Sequence, residues 1–439
     1  AIEADLRRAR DEDMNLPVPV RSTFNAVYAR AERELGRGKE HWIKGRAAVA
    51  AEPMTIRGFQ DTPREEGELS IGYEYFNDRV TVDLNVTGVA DASDGEDVRP
   101  DGSLLTVRLG NFSYGFSTMD RWWGPAWDGS QIYSSNARPM PSFVIERDRT
   151  DPFETKWLSW LGPWDMSFVW GQMEEDRFVP NAKFLGFRFA FKPHPAWEIG
   201  ISRTAQWCGD GRPCDFSTFW DLLWGRDNEG EEGTSQENEP GNQLAGFDWR
   251  WMNLWLGTPV SFYGQATAED ESGGFPSAYM VQAGLEGSGY IRSRWSYRWF
   301  VEYASNSCDA LKSQVGFGCA YNHRIYETGY RYRGRVVGHS AEGDARVGSV
   351  GIVFANTEAT TWQFLFRSGD LNRGNGDPML KARNTLTSTT TEIVSVDIQF
   401  GMSTRFGRFE FGTGVEQLED AVTRSQTEDT RAFLSWSSP

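Results

Sequence analysis

Long apolar runs are missing. No stretch of the 439 residues approaches the ~18 consecutive apolar positions that a membrane-spanning helix requires, so a helical membrane protein is excluded. Histidine is scarce. The four are His41, His194, His323 and His339, and no GxSxG motif accompanies any of them. His323 lies nearest to hydrolase chemistry, but a nucleophile–base pair has little to build on, and no enzyme is expected. A basic excess is also absent. The formal net charge is −17, which disfavours nucleic acid as a partner. An acidic polymer would need local Arg/Lys patches or bridging cations. Cysteines number four, in two close pairs. Cys208 and Cys214 flank GDGRP; Cys308 and Cys319 flank DALKSQVGFG. Neither pair has the tight CxxC spacing of a zinc site, and both suit disulfides that pin loops in an oxidising compartment. A leader is not seen either; for an exported chain, Ala1 then lies at or beyond the cleavage site.

What the chain does have is aromatic bulk and glycine: 19 Trp, 46 Gly and 14% aromatic residues in a polar sequence. Such a balance suits a β-barrel in which every second residue faces lipid, and equally a soluble β-rich protein. Residues 1–45 stand apart. Segments 1–11 and 22–36 have helical spacing, with Phe24, Val27, Ala31 and Leu35 on one face, Ser22 as N-cap and Gly36 as stop. Too short for a core of its own, this is a small helical element.

Beyond residue 45 the period becomes two. Ile71, Tyr73 and Tyr75 lead through a turn at Asn77 and Asp78 to Val80, Val82, Leu84 and Val86, which predicts a hairpin with one apolar and one polar face. The pattern recurs around 185–191, 295–303, 350–366 and 394–402. The strands are ~8–11 residues long, sufficient to cross a bilayer at a tilt, and their apolar faces are rich in Trp, Tyr and Phe, like membrane girdles. Arg188, Arg298 and Arg367 fall on the polar faces and would line a lumen, paired with acids such as Asp83 and Asp397. Polar stretches at 90–103, 226–243 and 369–391 read as long loops. The chain after residue 45 has room for roughly 16–20 strands.

One run breaks the period: RWWGPAWDGSQIYSSNARPM at 121–140. Gly and Pro set its aromatics on irregular backbone. Trp122, Trp123 and Trp127 can stack on sugar rings while Asp128, Asn136 and Arg138 bond hydroxyls or a uronate. The same residues can instead pack a loop inside a wide scaffold. Asn238, Glu239, Asn242 and Gln243, before a strand at 244–251, offer side chains suited to sugar hydroxyls or, as plainly, a turn. Glu269, Asp270 and Glu271, after a strand at 260–268, can hold a calcium ion that bridges an acidic glycan, or form a solvated loop; no other cofactor is expected.

These blocks carry a resemblance. RWWGPAWDGSQI (121–132), ARPM (137–140), WLSWLGPW (157–164), NEPGNQLAGFDW (238–249), PVSFYGQATAEDESGGFPSA (259–278) and HRIYETGYRYRG (323–334) resemble, in order, the Wzi capsule-assembly family of outer-membrane proteins. The resemblance implies an all-β transmembrane barrel of about 18 antiparallel strands over 46–439. It implies a periplasmic helical element (1–45) closing the lower end and folded loops blocking the outer mouth. It further implies a monomeric lectin-like protein in the outer membrane of a Gram-negative bacterium, in contact with lipid and lipopolysaccharide. Such a protein binds capsular or exopolysaccharide; a channel for polysaccharide export is the alternative. A contact with the export machinery is a further expectation. The short N-terminal part, the two cysteine loops and the ending AFLSWSSP depart from the family's pattern.

Overall fold

The computed structural model describes residues 41–60, 62–224, 241–255, 258–272, 275–291, 295–313, 315–356, 358–374 and 384–438. The first hairpin shows how the sequence makes the wall. Asn77 Oδ1 accepts the N–H groups of Arg79 and Val80, each at 2.8 Å, and reverses the chain. The strands then pair antiparallel from Gly67↔Ala90 to Phe76↔Thr81. Leu69 and Ile71 point outward and stay 69% and 65% exposed, whereas Ser70 and Thr87 face inward, buried, and share a 2.7 Å hydrogen bond. The surface is therefore apolar and the interior polar, which is the inverse of a soluble protein and the condition for a barrel in lipid.

Among the described residues nineteen strands join one sheet. One of them, Val98–Arg99, is a two-residue side pairing, and the other eighteen close a barrel. They are β1 (His41–Ala51), β2 (Gly67–Phe76), β3 (Val80–Ala90), β4 (Leu104–Leu109), β5 (Phe112–Ser117) and β6 (Ser142–Arg147). Next come β7 (Trp164–Gln172), β8 (Lys183–His194), β9 (Trp197–Trp207), β10 (Gly241–Trp255), β11 (Thr258–Ser272) and β12 (Phe275–Ile291). The last six are β13 (Trp295–Ser305), β14 (Arg346–Asn356), β15 (Thr361–Leu371), β16 (Thr391–Thr404), β17 (Gly407–Asp420) and β18 (Gln426–Ser437). Each is antiparallel to its neighbours, and β1 closes the circle on β18 from Arg46↔Ser437 to Ala51↔Ala432.

The two rims differ. Tight turns at 77–79, 110–111, 195–196 and 405–406 lie at one end; connections 52–66, 91–103, 118–141, 173–182 and 306–345 lie at the other. In outer-membrane barrels short turns are periplasmic and long loops external. Aromatic side chains gather at the tight-turn rim. Trp197 and Trp251 have ring centroids 6.5 Å apart, Trp362 and Phe400 4.6 Å, and the Arg147 guanidinium lies 3.5 Å over Trp164. Amphipathic rings of this kind mark a membrane–water boundary.

The helical element expected at 1–45 lies outside the described residues as far as residue 40. β1 begins at His41, so the expected boundary at 45/46 falls inside a strand. A barrel of this strand number leaves a water-filled channel unless something fills it.

Candidate functional site

The tryptophan run fills it. Segment 118–141 leaves β5 at the long-loop rim, descends into the lumen and returns to β6. Its irregular backbone cannot satisfy its own polar groups, so the inward faces of the strands do so. Glu302 on β13 accepts the N–H of Asp128 at 2.8 Å and that of Trp127. Gln265 on β11 accepts from Gln131 N at 2.9 Å and donates to Trp123 O at 3.0 Å. Glu286 on β12 accepts from Trp127 Nε1 at 2.7 Å. Trp127 also lies under the Arg298 guanidinium, 4.7 Å from the ring centre, and stacks on Phe300.

Segment 306–345 packs on top. Tyr321 donates to Gln131 O at 2.8 Å, Tyr330 to Ile132 O at 2.7 Å, and Asn136 Nδ2 to Val336 O at 2.9 Å. Trp123, Ile132, Tyr133, Met140, Tyr321 and Tyr330 belong to one fully covered apolar cluster inside the barrel. Segments 52–66 and 91–103 complete the plug. Arg57 and Arg64 donate to Asn136 O, and Phe59 N bonds Trp127 O at 3.0 Å.

Charge fixes it to the wall. Asp128, 3% exposed, takes Arg367 of β15 at 2.7 Å. Arg367 also lies 3.6 Å from Asp397, which pairs at 2.9 Å with Arg431; that arginine reaches Glu416 at 2.7 Å. Arg188 pairs with Asp248 at 2.6 Å, so the expected lumenal arginines are present and partnered. Asp83 is matched by Lys44. Arg138 is held by Asp94 at 2.6 Å, Asp101 at 2.8 Å and Glu96 at 3.0 Å. Burial pushes the Asp94 carboxyl up, but the hydrogen bonds from Arg138 and the Glu96 N–H, with the charges of Arg138 and Arg99, together outweigh it and the group ends below the usual carboxylate range. His339 is buried against Asp128 and Gly129. Burial, with Arg367 nearby, lowers it to about 4, so the ring is neutral at neutral pH and its Nδ1 accepts the N–H of Ala341.

Most of the residues expected to read sugar therefore have internal partners. Trp123 and Asn136 are buried, Asp128 and Arg138 are ion-paired, and Asn242 bonds Gln206 at 2.9 Å. Asn242 and Gln243 belong to β10 rather than to a loop before it. Gln243 faces outward and donates to Leu222 O at 3.2 Å. Asn238 and Glu239 lie outside the described residues. Trp122 keeps a half-buried face on a lumenal cleft of about 360 Å³ with Phe59, Gln60, Arg64, Asp120 and Arg121. His323 Nδ1 accepts the N–H groups of Ile325 and Tyr326, which shapes a turn.

The acidic triplet is not in a loop. β11 continues to Ser272, with Asp270↔Ser277 and Glu271↔Pro276 paired to β12. Glu269 is buried; the side chains of Asp270 and Glu271 lie outside the described set. The cysteines pair as expected, Cys208 with Cys214 and Cys308 with Cys319, with Cα atoms 4.7 and 6.2 Å apart.

Sequence reasoning missed one outward-facing group. Within the loop clamped by Cys308 and Cys319, Phe317 is 43% exposed and carries the Arg373 guanidinium 5.3 Å from its ring centre. Asp344 braces this loop by accepting Gly318 N at 2.8 Å. Burial raises the Asp344 carboxyl to about 6. An aromatic face beside a guanidinium suits a pyranose bearing a carboxylate. Phe317 and Arg373 are far apart in sequence on segments without periodicity, so no pattern joined them.

Residues 42–428 match the family described as capsule assembly protein Wzi. Over 287 residues the chain is 38% identical to an uncharacterized 55.8 kDa protein in the cps region of Klebsiella pneumoniae, a match that covers 65% of this chain and 56% of that protein. The chain thus matches little more than half the length of that relative. The fold is similar to that of Wzi from Escherichia coli, with a TM-score of 0.82 and 26% identity over 95% of this chain and 88% of the other. That protein is an outer-membrane, carbohydrate-binding β-barrel involved in group 1 capsule assembly.

Proposed function

The chain belongs to the Wzi capsule-assembly family of outer-membrane barrels, and from that membership and the filled lumen we propose that it binds capsular polysaccharide and retains it at the cell surface. The observation that carries this reading over a polymer channel is the plug. Segments 118–141 and 306–345 are joined to each other and to the wall by buried hydrogen bonds and ion pairs, and a polymer cannot thread through a packed core. The role proposed is binding without turnover, by a monomeric holder rather than an enzyme.

The glycan contact we favour is Phe317 with Arg373, on the rim that barrel architecture assigns to the outside. The tryptophan run supports it from below. The test is glycan binding to purified barrel in detergent, using the producer's own acidic polysaccharide, beside conductance in planar bilayers. Wild-type barrel is expected to bind and to pass almost no current; robust open-channel current would sink the reading. Phe317→Ala and Arg373→Ala are each expected to weaken binding about 10-fold, the scale of one lost stacking or charge-assisted contact. Trp122→Ala is expected to leave it unchanged. The reverse outcome would place the contact on the lumenal cleft. Calcium at Glu269, Asp270 and Glu271 is tested in the same assay, since binding that survives chelation removes the ion from the reading.

A further inference from the structure

The connection from β9 toward β10 contains a helix that the period-two wall does not explain. α1 (Phe216–Trp224) follows the Cys208–Cys214 loop, and Asp215 caps it by accepting the N–H of Thr218 at 3.0 Å. Its location follows from strand parity. On β8 and β9 the inward side chains are Phe184, Ser202, Thr204 and Gln206; Leu185, Phe187, Ile201, Arg203, Ala205 and Trp207 alternate with them and face outward. α1 packs on this outward set. Leu222 is 2% exposed in a cluster with Leu185, Ala205 and Trp207, and Phe219 lies 5.2 Å from Trp207. Arg203 on β9 and Gln243 on β10, also outward, donate to Leu222 O at 3.0 and 3.2 Å. The helix therefore lies on the external wall of the barrel and not over its mouth.

Its height can be placed. Trp197 and Trp207 stand at opposite ends of β9. Ten residues at about 3.3 Å each, tilted by about 40°, rise roughly 25 Å, which is the height of a barrel's lipid-facing band. Trp197 belongs to the aromatic belt at the tight-turn rim, so Trp207 and the helix packed on it lie at the opposite boundary, in the outer leaflet. The face of α1 turned from the wall carries Phe216, 75% exposed, and Trp220, 49% exposed, with ring centroids 5.9 Å apart and stacked. Just below it the band continues through Phe187, Ile201 and Phe247, all 40% exposed or more.

We propose that α1 is an interfacial anchor, and that its Phe216/Trp220 face is occupied by outer-leaflet lipid. The continuity of that face with the lipid-facing band identifies the occupant. An apolar aromatic surface at the boundary is the arrangement by which surface helices seat in the headgroup region. Arg203 and Gln243, polar side chains that face outward here, satisfy a helix-end carbonyl that lipid could not.

Photocrosslinking tests this in outer membranes containing the full chain. p-Benzoylphenylalanine is placed at Phe216, at Trp220, or at Val422 in the turn between β17 and β18, 73% exposed and above the band. Heat-modifiable mobility confirms a folded barrel in each variant before irradiation. Adducts at 216 and 220 are expected to carry lipid, at yields several-fold above position 422. Lipid yields no higher than at 422, or adducts dominated by polysaccharide or by another protein, would overturn the proposal.

Discussion

Arg367→Ala is expected to convert a sealed barrel into a conducting one and to cost about 3–5 kcal/mol of stability, the usual penalty for orphaning a buried charge. The size follows from where the charge is left. Asp128 and Arg367 are 3% and 1% exposed, and their carboxylate and guanidinium meet through contacts of 2.7, 2.9 and 3.0 Å. Without the guanidinium, Asp128 faces Glu302, and Asp397 keeps only Arg431. Repulsion then acts on the deepest part of the plug. An eighteen-stranded wall does not need the plug in order to close, so the wall survives while the lumen loosens. Single-channel current should rise well above the wild-type baseline, and urea unfolding should shift to lower denaturant. A decisive control is Asp128→Leu combined with Arg367→Leu. Replacing both charges removes the orphan, so the double variant should be more stable than either single one and pass less current. Unchanged current in Arg367→Ala would show that the apolar cluster of segments 118–141 and 306–345 holds the plug without this pair.

The wall was legible and the plug was not, for a physical reason. A strand in a barrel has two environments, lipid and lumen, and these alternate residue by residue, so Leu69, Ile71, Tyr73 and their partners announce their pairing in the sequence. Segment 118–141 has no period, because each of its residues meets a different neighbour. Its sequence shows that Trp122, Trp123 and Trp127 need partners but not that Phe59, Gln265, Glu286 and Glu302 supply them. Asp128 and Arg367 lie 239 positions apart, and nothing local relates them. Family resemblance raised the prospect of a blocked mouth; only coordinates show that the blocking residues are largely the ones that looked like a sugar platform. α1 was within reach. Asp215 followed by Phe216, Phe219, Trp220 and Leu222 carries a cap and a helical apolar face, but a chain read for period two left it without an assignment.

Gly129→Ala is expected to be the most damaging single-methyl change in the chain's central run. Backbone strain is not the cause. A Cβ at residue 129 would stand 2.2 Å from His339 Nε2 and 2.3 Å from Cδ2, far inside contact distance. The imidazole cannot easily yield. It is 1% exposed, fixed by the N–H of Ala341 on Nδ1, and enclosed by the Tyr321 hydroxyl that accepts its own backbone N–H. Either segment 118–141 or segment 306–345 must therefore shift, which opens the interface that seals the lumen. The cost should be about 3 kcal/mol, the upper part of the range for overpacked cores, with current appearing in bilayers as in Arg367→Ala. His339→Ala should relieve the clash. In a double-mutant cycle Gly129→Ala with His339→Ala should recover at least about 1 kcal/mol of what the single changes sum to, because the added methyl enters the vacated space. Strict additivity would mean that the methyl is accommodated elsewhere and that Gly129 is not there to admit His339.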